Sequence, residues 1–321
     1  MKKIVITGGA GFAGSHLVDK FVDAYPETQF FVFDKMTYAA DVRHLGNHLH
    51  SGRVRLIVGD LIDFDACINT VRGADLVIHA AAESHVDNSF TNSIVFTKSN
   101  VLGTHCLAEA CRLMAVPRLI HVSTDEVIGE VPEGDADENA VLNPTNPYSS
   151  SKAAAEMILR SYAQSYKFPI ISVRSNNFYG TRQYPEKIIP RFVLNLLNGK
   201  RLPVHGDGSN RRHYLHVEDF AEAILLLAKD GVPDEIYNIG TKEEYTNFQI
   251  AQLISAQFGK KANDVVDFVT DRPFNDCRYS VSYEKIAKLG WGPKRRLVDN
   301  LPAIIEWYRD NTPRYADLLS R

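Results

Sequence analysis

Short apolar runs alternate with segments of helical period through the first half of the chain. Six runs are continuous enough for strands buried on both faces, and they occupy residues 4–7, 30–33, 54–58, 76–80, 119–123 and 170–174. Four intervening segments repeat apolar residues with the period of a helix, at residues 14–24, 64–71, 101–114 and 149–166. This alternation predicts an α/β fold over residues 1–175, in which helices cover both faces of a doubly wound parallel sheet.

The alternation breaks after Asn176. Pro185, Pro190 and Pro203 interrupt shorter elements, and helical period returns at residues 218–228 and 247–258. We therefore expect a smaller α/β lobe over residues 176–321, folded over the first region, with later segments returning to that region.

The composition argues against several classes of protein, among them nucleic-acid-binding and membrane proteins. Of the 321 residues, 45% are hydrophobic and 23% are charged, which suits a chain that folds without a structural metal. Lys and Arg total 36 against 39 for Asp and Glu, so no strong positive field favours nucleic acid or an anionic membrane. Four cysteines without C-x-x-C spacing favour free thiols in the cytoplasm. We expect neither a membrane span nor a signal peptide.

A glycine-rich turn follows the first predicted strand. Gly8, Gly11 and Gly14 lie in the sequence TGGAGFAG, between that strand and the first predicted helix. Glycines in this context allow a tight turn, the close approach of a pyrophosphate, and close packing of helix on strand. Asp34 ends the second predicted strand 20 residues after Gly14, where a carboxylate binds ribose hydroxyls and repels a 2′-phosphate. The pattern predicts a Rossmann-type site for NAD.

A second cluster carries groups for catalysis. Tyr148 and Lys152 are four residues apart on one predicted helix, so the ammonium can stabilise a phenolate that takes a hydroxyl proton. Thr124 follows the preceding strand, and Asp125 and Glu126 come directly after it, where ligands of α/β proteins bind. A dehydration needs such a carboxylate pair, because one group takes a carbon-bound proton while the other protonates the departing hydroxyl.

Longer motifs make a family resemblance specific. Tyr148 and Lys152, together with Thr124, resemble the extended short-chain dehydrogenase/reductase superfamily. Five segments are similar to the nucleotide-sugar 4,6-dehydratases, which include dTDP-glucose 4,6-dehydratases and the UDP-glucose enzymes of rhamnose synthesis. These segments are STDEV at 123–127, ESHVD at 83–87, NPY at 146–148, YPEK at 184–187 and DRP at 271–273. The likeness extends from about residue 3 to residue 310.

The resemblance implies a complete reaction. Tyr148, assisted by Lys152 and Thr124, removes the sugar 4-hydroxyl proton while hydride passes from C4 to tightly bound NAD. Glu126 then abstracts the C5 proton, Asp125 protonates the leaving 6-hydroxyl, and hydride returns to C6. The product is the 4-keto-6-deoxy form of UDP-glucose or dTDP-glucose.

The resemblance also implies binding residues. Those expected to hold NAD are Gly8, Gly11, Phe12, Ala13, Gly14, Asp34, Lys35, Thr37, Asp60, Leu61, Ala80, Ala82, Ser99, Tyr148, Lys152 and Asn177. Those expected to hold the nucleotide sugar are Ser84, Thr124, Asn177, Lys187, Pro203, His205, Arg212, Asn238, Asn275 and Arg278. Asp60 either contacts the adenine edge, or caps a helix before Ile62, or does both. Residues 101–114 and 149–166 match the helices through which family members form homodimers.

Two departures bear on activity and specificity. Ile128 stands where the family usually has Tyr, so polarity or packing beside the carboxylates is expected to differ. Asn88 and Phe90 resemble the residues at these positions in the UDP-glucose enzymes more than those in the bacterial dTDP-glucose enzymes. The sequence does not decide between uridine and thymidine in the substrate.

Two alternatives to a dehydratase also stay open. A related nucleotide-sugar epimerase or decarboxylase needs no carboxylate pair. A non-catalytic dinucleotide-binding regulator needs neither Tyr148 nor Lys152. A metal site at His213 and His216 lacks a third ligand, so no metal is predicted.

Overall fold

The computed structural model describes residues 1–319, and a seven-stranded sheet forms the centre of the molecule. The strands are β1 (Lys3–Thr7), β2 (Gln29–Asp34), β3 (Val54–Val58), β4 (Leu76–His79), β5 (Leu119–Val122), β6 (Ile170–Ser175), β7 (Asn177–Tyr179), β8 (Leu202–His205), β9 (Arg211–His216), β10 (Ile236–Ile239), β11 (Glu244–Thr246) and β12 (Val266–Val269). The central sheet has the order β10-β6-β5-β4-β1-β2-β3, and every pairing in it is parallel. The predicted doubly wound α/β fold is confirmed.

Helices cover this sheet and also build the smaller region that follows β6. They are α1 (Phe12–Ala24), α2 (Gly46–His50), α3 (Phe64–Val71), α4 (Val86–Thr91), α5 (Ser93–Phe96), α6 (Gly103–Leu113), α7 (Pro147–Tyr166), α8 (Ile188–Leu197), α9 (Val217–Asp230), α10 (Asn247–Gln257), α11 (Ala262–Val265), α12 (Glu284–Ala287), α13 (Leu297–Asn311) and α14 (Ala316–Leu319). No helix within residues 1–319 combines the length and apolar character needed to cross a bilayer.

Alternate residues of the strands build two cores, one on each face of the sheet. In β1, Ile4 and Ile6 pack with α1 and α9, whereas Val5 packs on the opposite face with α3, α6 and α7. Successive side chains of a strand point to opposite faces, so a sheet covered on both sides requires continuous apolar runs. This requirement explains why the sequence shows uninterrupted apolar strands instead of alternating ones.

A smaller region follows β6. It contains a three-stranded sheet, β11-β9-β7, and a two-stranded sheet, β12-β8. Side chains from α8, α10 and α13 form its separate apolar core. Between these elements the chain returns to the large sheet, where β10 pairs with the edge of β6. The last two residues of the predicted smaller lobe lie outside the described part of the chain.

Two local predictions need correction. The helix predicted at 101–114 starts earlier, because α5 continues through a π-helical turn (Thr97–Leu102) into α6. Asn100 lies in that turn, and its side chain forms two hydrogen bonds with the Glu83 backbone. The widened turn therefore has a hydrogen-bonding partner outside the helix. Asp60 does not cap a helix, since Asp63 accepts from Ala66 N as the cap of α3. Asp60 instead accepts from Ile62 N in a local turn.

Candidate active site

One large cleft lies at the carboxyl ends of the central strands, beneath the smaller region. Its volume is about 420 Å³. Such crevices are where ligands of open α/β sheets bind. The structure brings these sequence-predicted residues into its lining: Gly8, Gly11, Phe12, Ala13, Gly14, Asp34, Lys35, Thr37, Asp60, Leu61, Ala80, Ala82, Ser84, Ser99, Thr124, Glu126, Tyr148, Lys152, Asn177, Lys187, Pro203, His205, Arg212 and Asn275.

The glycine turn is packed too tightly for side chains at two positions. Gly8 has φ +70°, and a Cβ there would lie 2.6 Å from the Cα of Ala81. A Cβ on Gly14 would lie 2.0 Å from the Gly8 carbonyl oxygen. The absence of these side chains leaves the amino end of α1 open toward the cleft, where its N–H groups favour an anion.

Asp34, the last residue of β2, is hydrogen-bonded to the glycine turn. One carboxylate oxygen accepts from Ala10 N and the other from Met36 N, both at 2.9 Å. Burial raises the pKa of Asp34, which the two backbone hydrogen bonds oppose. Lys35 and Asp60 form an ion pair at 2.7 Å on the same side of the cleft. These residues surround the position where the adenosine half of a dinucleotide would lie.

Tyr148 and Lys152 lie on the first turns of α7. Asn146 begins the helix by accepting from Ser149 N, in a capping box followed by Pro147. Both side chains are buried, and the Lys152 ammonium donates to the Val122 carbonyl at 2.6 Å. Burial lowers the pKa of Lys152 to about 8. Burial, followed by the charge of Glu126, raises the pKa of Tyr148, so a phenolate needs added positive charge in the cleft.

Asp125 and Glu126 lie in a short 3₁₀ helix (Asp125–Ile128) that follows Thr124. Asn176 donates to Asp125 at 2.8 Å, and Asn146 donates to Glu126 at 3.3 Å. Burial, followed by the Glu126 charge, raises the pKa of Asp125 to about 7. Glu126 lines the cleft, whereas Asp125 lies just behind it.

Three cations affect the second carboxylate of this pair. Burial raises the pKa of Glu126, but the charges of Arg212, Lys187 and Arg272 lower it. The charge of Glu126 in turn raises the pKa of Asp125. Neighbouring carboxylates with environments that differ in this way are suited to separate acid and base roles.

Cationic and amide side chains line the part of the cleft formed by the smaller region. Lys187 donates to the Ser84 carbonyl at 2.9 Å, which joins the two sides of the cleft. Arg212 donates to the Asn275 side chain at 3.0 Å. Pro203 and His205 contribute from β8.

Two residues predicted to bind substrate do not line the cleft. Asn238 is fully buried and donates to the Ala136 carbonyl. Arg278 donates to Glu244 at 2.5 Å and to the carbonyls of Val131 and Gly134. These partners hold both side chains inside the protein. Asn238 joins the 131–138 segment to β10 of the central sheet, and Arg278 joins it to β11 of the smaller region.

Sequence reasoning omitted several residues that shape the site. Asn146 and Asn176 hold the carboxylates, and Glu186, Arg272 and Tyr279 line the cleft. Three of the five belong to the NPY, YPEK and DRP segments, without an individual role, and Asn176 directly precedes Asn177, a predicted binding residue. No sequence signal separated Tyr279 from other tyrosines.

Ile128 does not face the cleft. It is buried in an apolar cluster with Val127, Ala153 and Val281. The difference expected at this position is therefore one of packing behind the carboxylates. His213 and His216 bond instead to backbone groups, and no group of three metal-ligating side chains occurs within residues 1–319.

The cleft fits a dinucleotide on structural grounds. Side chains at Gly8 and Gly14 would fill the turn, α1 starts at the cleft, and Asp34 lies at the end of β2. Each feature has the position that a pyrophosphate and a ribose require.

Known proteins that are similar to this chain include nucleotide-sugar 4,6-dehydratases. The family model described as GDP-mannose 4,6 dehydratase matches residues 5–301. A trifunctional UDP-glucose 4,6-dehydratase/UDP-4-keto-6-deoxy-D-glucose 3,5-epimerase/UDP-4-keto-L-rhamnose-reductase of Arabidopsis thaliana is 43% identical over 99% of this chain, which spans 48% of that protein, about half its length. A dTDP-D-glucose 4,6-dehydratase of Homo sapiens is 42% identical, with 97% of this chain and 91% of that protein covered.

A solved structure extends the similarity to three dimensions. The crystal structure of a dTDP-glucose 4,6-dehydratase from Streptomyces venezuelae, with NAD bound, has a TM-score of 0.93 and 39% identity. The match covers 96% of this chain and 97% of that one. The chain therefore belongs to the GDP-mannose 4,6 dehydratase family, a family of nucleotide-sugar 4,6-dehydratases.

Proposed function

We propose that this protein is an NAD-dependent 4,6-dehydratase that converts UDP-glucose or dTDP-glucose to its 4-keto-6-deoxy product. The observation that carries the proposal is the pair formed by buried Asp125 and half-buried Glu126 at the same cleft as Tyr148 and Lys152. The names of the relatives support it, as does the NAD in the Streptomyces structure.

The cofactor site uses residues 8–14 for the pyrophosphate and Asp34 for a ribose. NAD supplies a reversible hydride acceptor when it is bound. Tyr148 takes the proton from the sugar 4-hydroxyl, and Thr124 and Lys152 orient this exchange. The Lys152 ammonium stabilises the phenolate in a cleft shielded from water.

The carboxylates then divide the dehydration between them. The raised pKa of Asp125, about 7, lets it keep a proton near neutral pH and give it to the departing 6-hydroxyl. Arg212, Lys187 and Arg272 favour the charged form of Glu126, which takes the C5 proton. An epimerase or decarboxylase needs no such pair, and a non-catalytic regulator needs no buried Tyr148 and Lys152.

The nucleoside diphosphate is assigned to the opposite side of the cleft. Lys187 and Arg212 offer positive charge, and Asn177 and Asn275 offer amides, all within the lining. Charge-assisted hydrogen bonds to phosphate are stronger than neutral ones. The proposed division is a cofactor domain over residues 1–175 and a lobe mainly for the sugar nucleotide over residues 176–321.

Incubation of the purified protein with UDP-glucose and dTDP-glucose, in separate tubes, tests this function. We expect loss of one water from at least one substrate, measured by mass spectrometry and by the alkali-induced absorbance of the 4-keto sugar. Interconversion at C4 without loss of water would favour an epimerase. The ratio of the rates with UDP-glucose and dTDP-glucose shows which nucleotide, uridine or thymidine, the enzyme prefers.

Replacing Asp34 by Ala should lower the preference for NAD over NADP at least about tenfold, because a charge-assisted hydrogen bond and a repulsive charge are both removed. Calorimetric titration of each dinucleotide measures the two affinities. Asp63→Ala is the control, since Asp63 caps α3 and does not line the cleft. An unchanged affinity ratio in Asp34→Ala would remove Asp34 from cofactor selection.

We also propose a cytoplasmic homodimer that pairs through α6 and α7. Three apolar side chains on these helices are exposed, Leu113, Met157 and Tyr166. Cys67 and Cys111 are buried free thiols, as in a reducing compartment. Sedimentation should give twice the chain mass of 36.0 kDa, and Met157→Glu should shift the equilibrium toward the monomer. A wild-type monomer at micromolar concentration would contradict the dimer.

A further inference from the structure

The proposed reaction leaves the side chains of the site in a different protonation state from the starting one. Tyr148 gains the proton of the sugar 4-hydroxyl, and Asp125 loses a proton to the departing 6-hydroxyl. Glu126 returns to its starting state, because the C5 proton that it takes is replaced when C5 is protonated again. After each turnover Tyr148 therefore holds one proton too many and Asp125 one too few.

Asp125 has few routes by which to regain its proton. It is 2% exposed and lies behind the residues that line the cleft. The Asn176 amide donates to one carboxylate oxygen, and the Thr124 hydroxyl donates to the other at 3.2 Å. Within residues 1–319, Thr124 provides the one hydroxyl hydrogen-bonded to this carboxylate.

Thr124 lies between the two groups that exchange the proton. Its hydroxyl donates to Asp125 and accepts from Glu126 N at 3.3 Å, and its interaction with the Tyr148 phenol lowers the pKa of that phenol. A hydroxyl has one donor and two acceptor positions. Since Asp125 uses the donor position and Glu126 N one acceptor position, the second acceptor position is available to the Tyr148 phenol.

We propose that the Thr124 hydroxyl returns the proton from Tyr148 to Asp125 between turnovers. The phenol O–H bond of Tyr148 breaks as its proton bonds to Thr124 Oγ1. The original O–H bond of Thr124 breaks as that proton bonds to Asp125 Oδ1. Thr124 ends unchanged, Tyr148 is again a phenolate, and Asp125 is again a carboxylic acid. No electron is transferred and no co-reactant is needed.

The surroundings match both ends of this transfer. The carboxyl group of Asp125 holds a proton near neutral pH because it is buried beside Glu126. The Lys152 ammonium, held by the Val122 carbonyl, favours the phenolate on the other side. This role for Thr124 rests on the proposed function and adds a step that the overall reaction does not reveal.

Rapid mixing of Thr124→Val holoenzyme with saturating nucleotide sugar separates the first turnover from later ones. We expect one product per active site, followed by a steady rate at least about tenfold slower than the first turnover. Wild type and Thr124→Ser, which keeps the hydroxyl, should show no burst. If Thr124 only binds the sugar, Thr124→Val slows all turnovers equally without a burst, and the relay is overturned.

Infrared difference spectroscopy gives a readout independent of rate. The carboxylic acid band of Asp125, identified by its absence in Asp125→Asn, should disappear after one turnover in Thr124→Val and recover slowly. Recovery as fast as in wild type would overturn the relay. Thr124→Ala repeats both tests if the Val variant does not fold. Absence of water loss in the wild type contradicts the proposed function itself, whereas wild-type turnover with no burst in either variant contradicts only the relay.

Discussion

Tyr148→Phe is expected to lower the rate of water loss at least about 1,000-fold, because it removes the hydroxyl of the proposed base for the sugar 4-hydroxyl. The protein should remain folded. The ring of Tyr148 packs edge-on against the ring of Phe96, with 6.3 Å between the ring centroids. A phenylalanine at position 148 keeps this ring contact. The near-ultraviolet absorbance of bound nicotinamide should stay unchanged on addition of substrate, since oxidation at C4 is the step that fails.

Tyr179→Phe is the matched control for this change. Tyr179 is fully buried, its hydroxyl donates to the Arg295 carbonyl at 3.1 Å, and it does not line the cleft. Loss of that hydrogen bond should cost about 1 kcal/mol of stability and leave the rate near that of wild type. A Tyr148→Phe variant within tenfold of the wild-type rate would require a different base.

Glu126→Gln is expected to stop the reaction after C4 oxidation. The amide keeps the size of the side chain and can still accept from Asn146, but it cannot take the C5 proton. Water loss should fall by at least about 100-fold. The absorbance of reduced nicotinamide should rise to one equivalent per site and persist, and the sugar C5 hydrogen should not exchange in heavy water.

Glu130→Gln is the control for the carboxylate change. Glu130 is exposed, and its side chain accepts from Cys277 N at 2.8 Å, a bond that the amide oxygen of Gln can replace. Its turnover should equal that of wild type. Exchange at C5 or full water loss in Glu126→Gln would show that another group takes the proton.

Local pattern was sufficient for six of the seven strands of the central sheet. The six apolar runs correspond to β1–β6, because strands of a sheet covered on both faces are apolar at most positions. The glycine turn could also be predicted from the sequence, because there is no space for a side chain at Gly8 or Gly14 and glycine is required at both positions. Strand order was not readable, because the pairing of β10 with β6 joins segments that are far apart in the chain.

The sequence by itself determined which chemical groups this protein has: a dinucleotide turn, a tyrosine with a lysine one turn away, and two adjacent carboxylates. Only the tertiary structure decided their environments. Asn146 and Asn176, 20 and 51 residues from their partners, converge on the two carboxylates. Arg278, whose type and motif indicated a phosphate contact, is turned inward by Glu244. Burial and the position of charges arise from contacts between distant segments, and local sequence does not encode them.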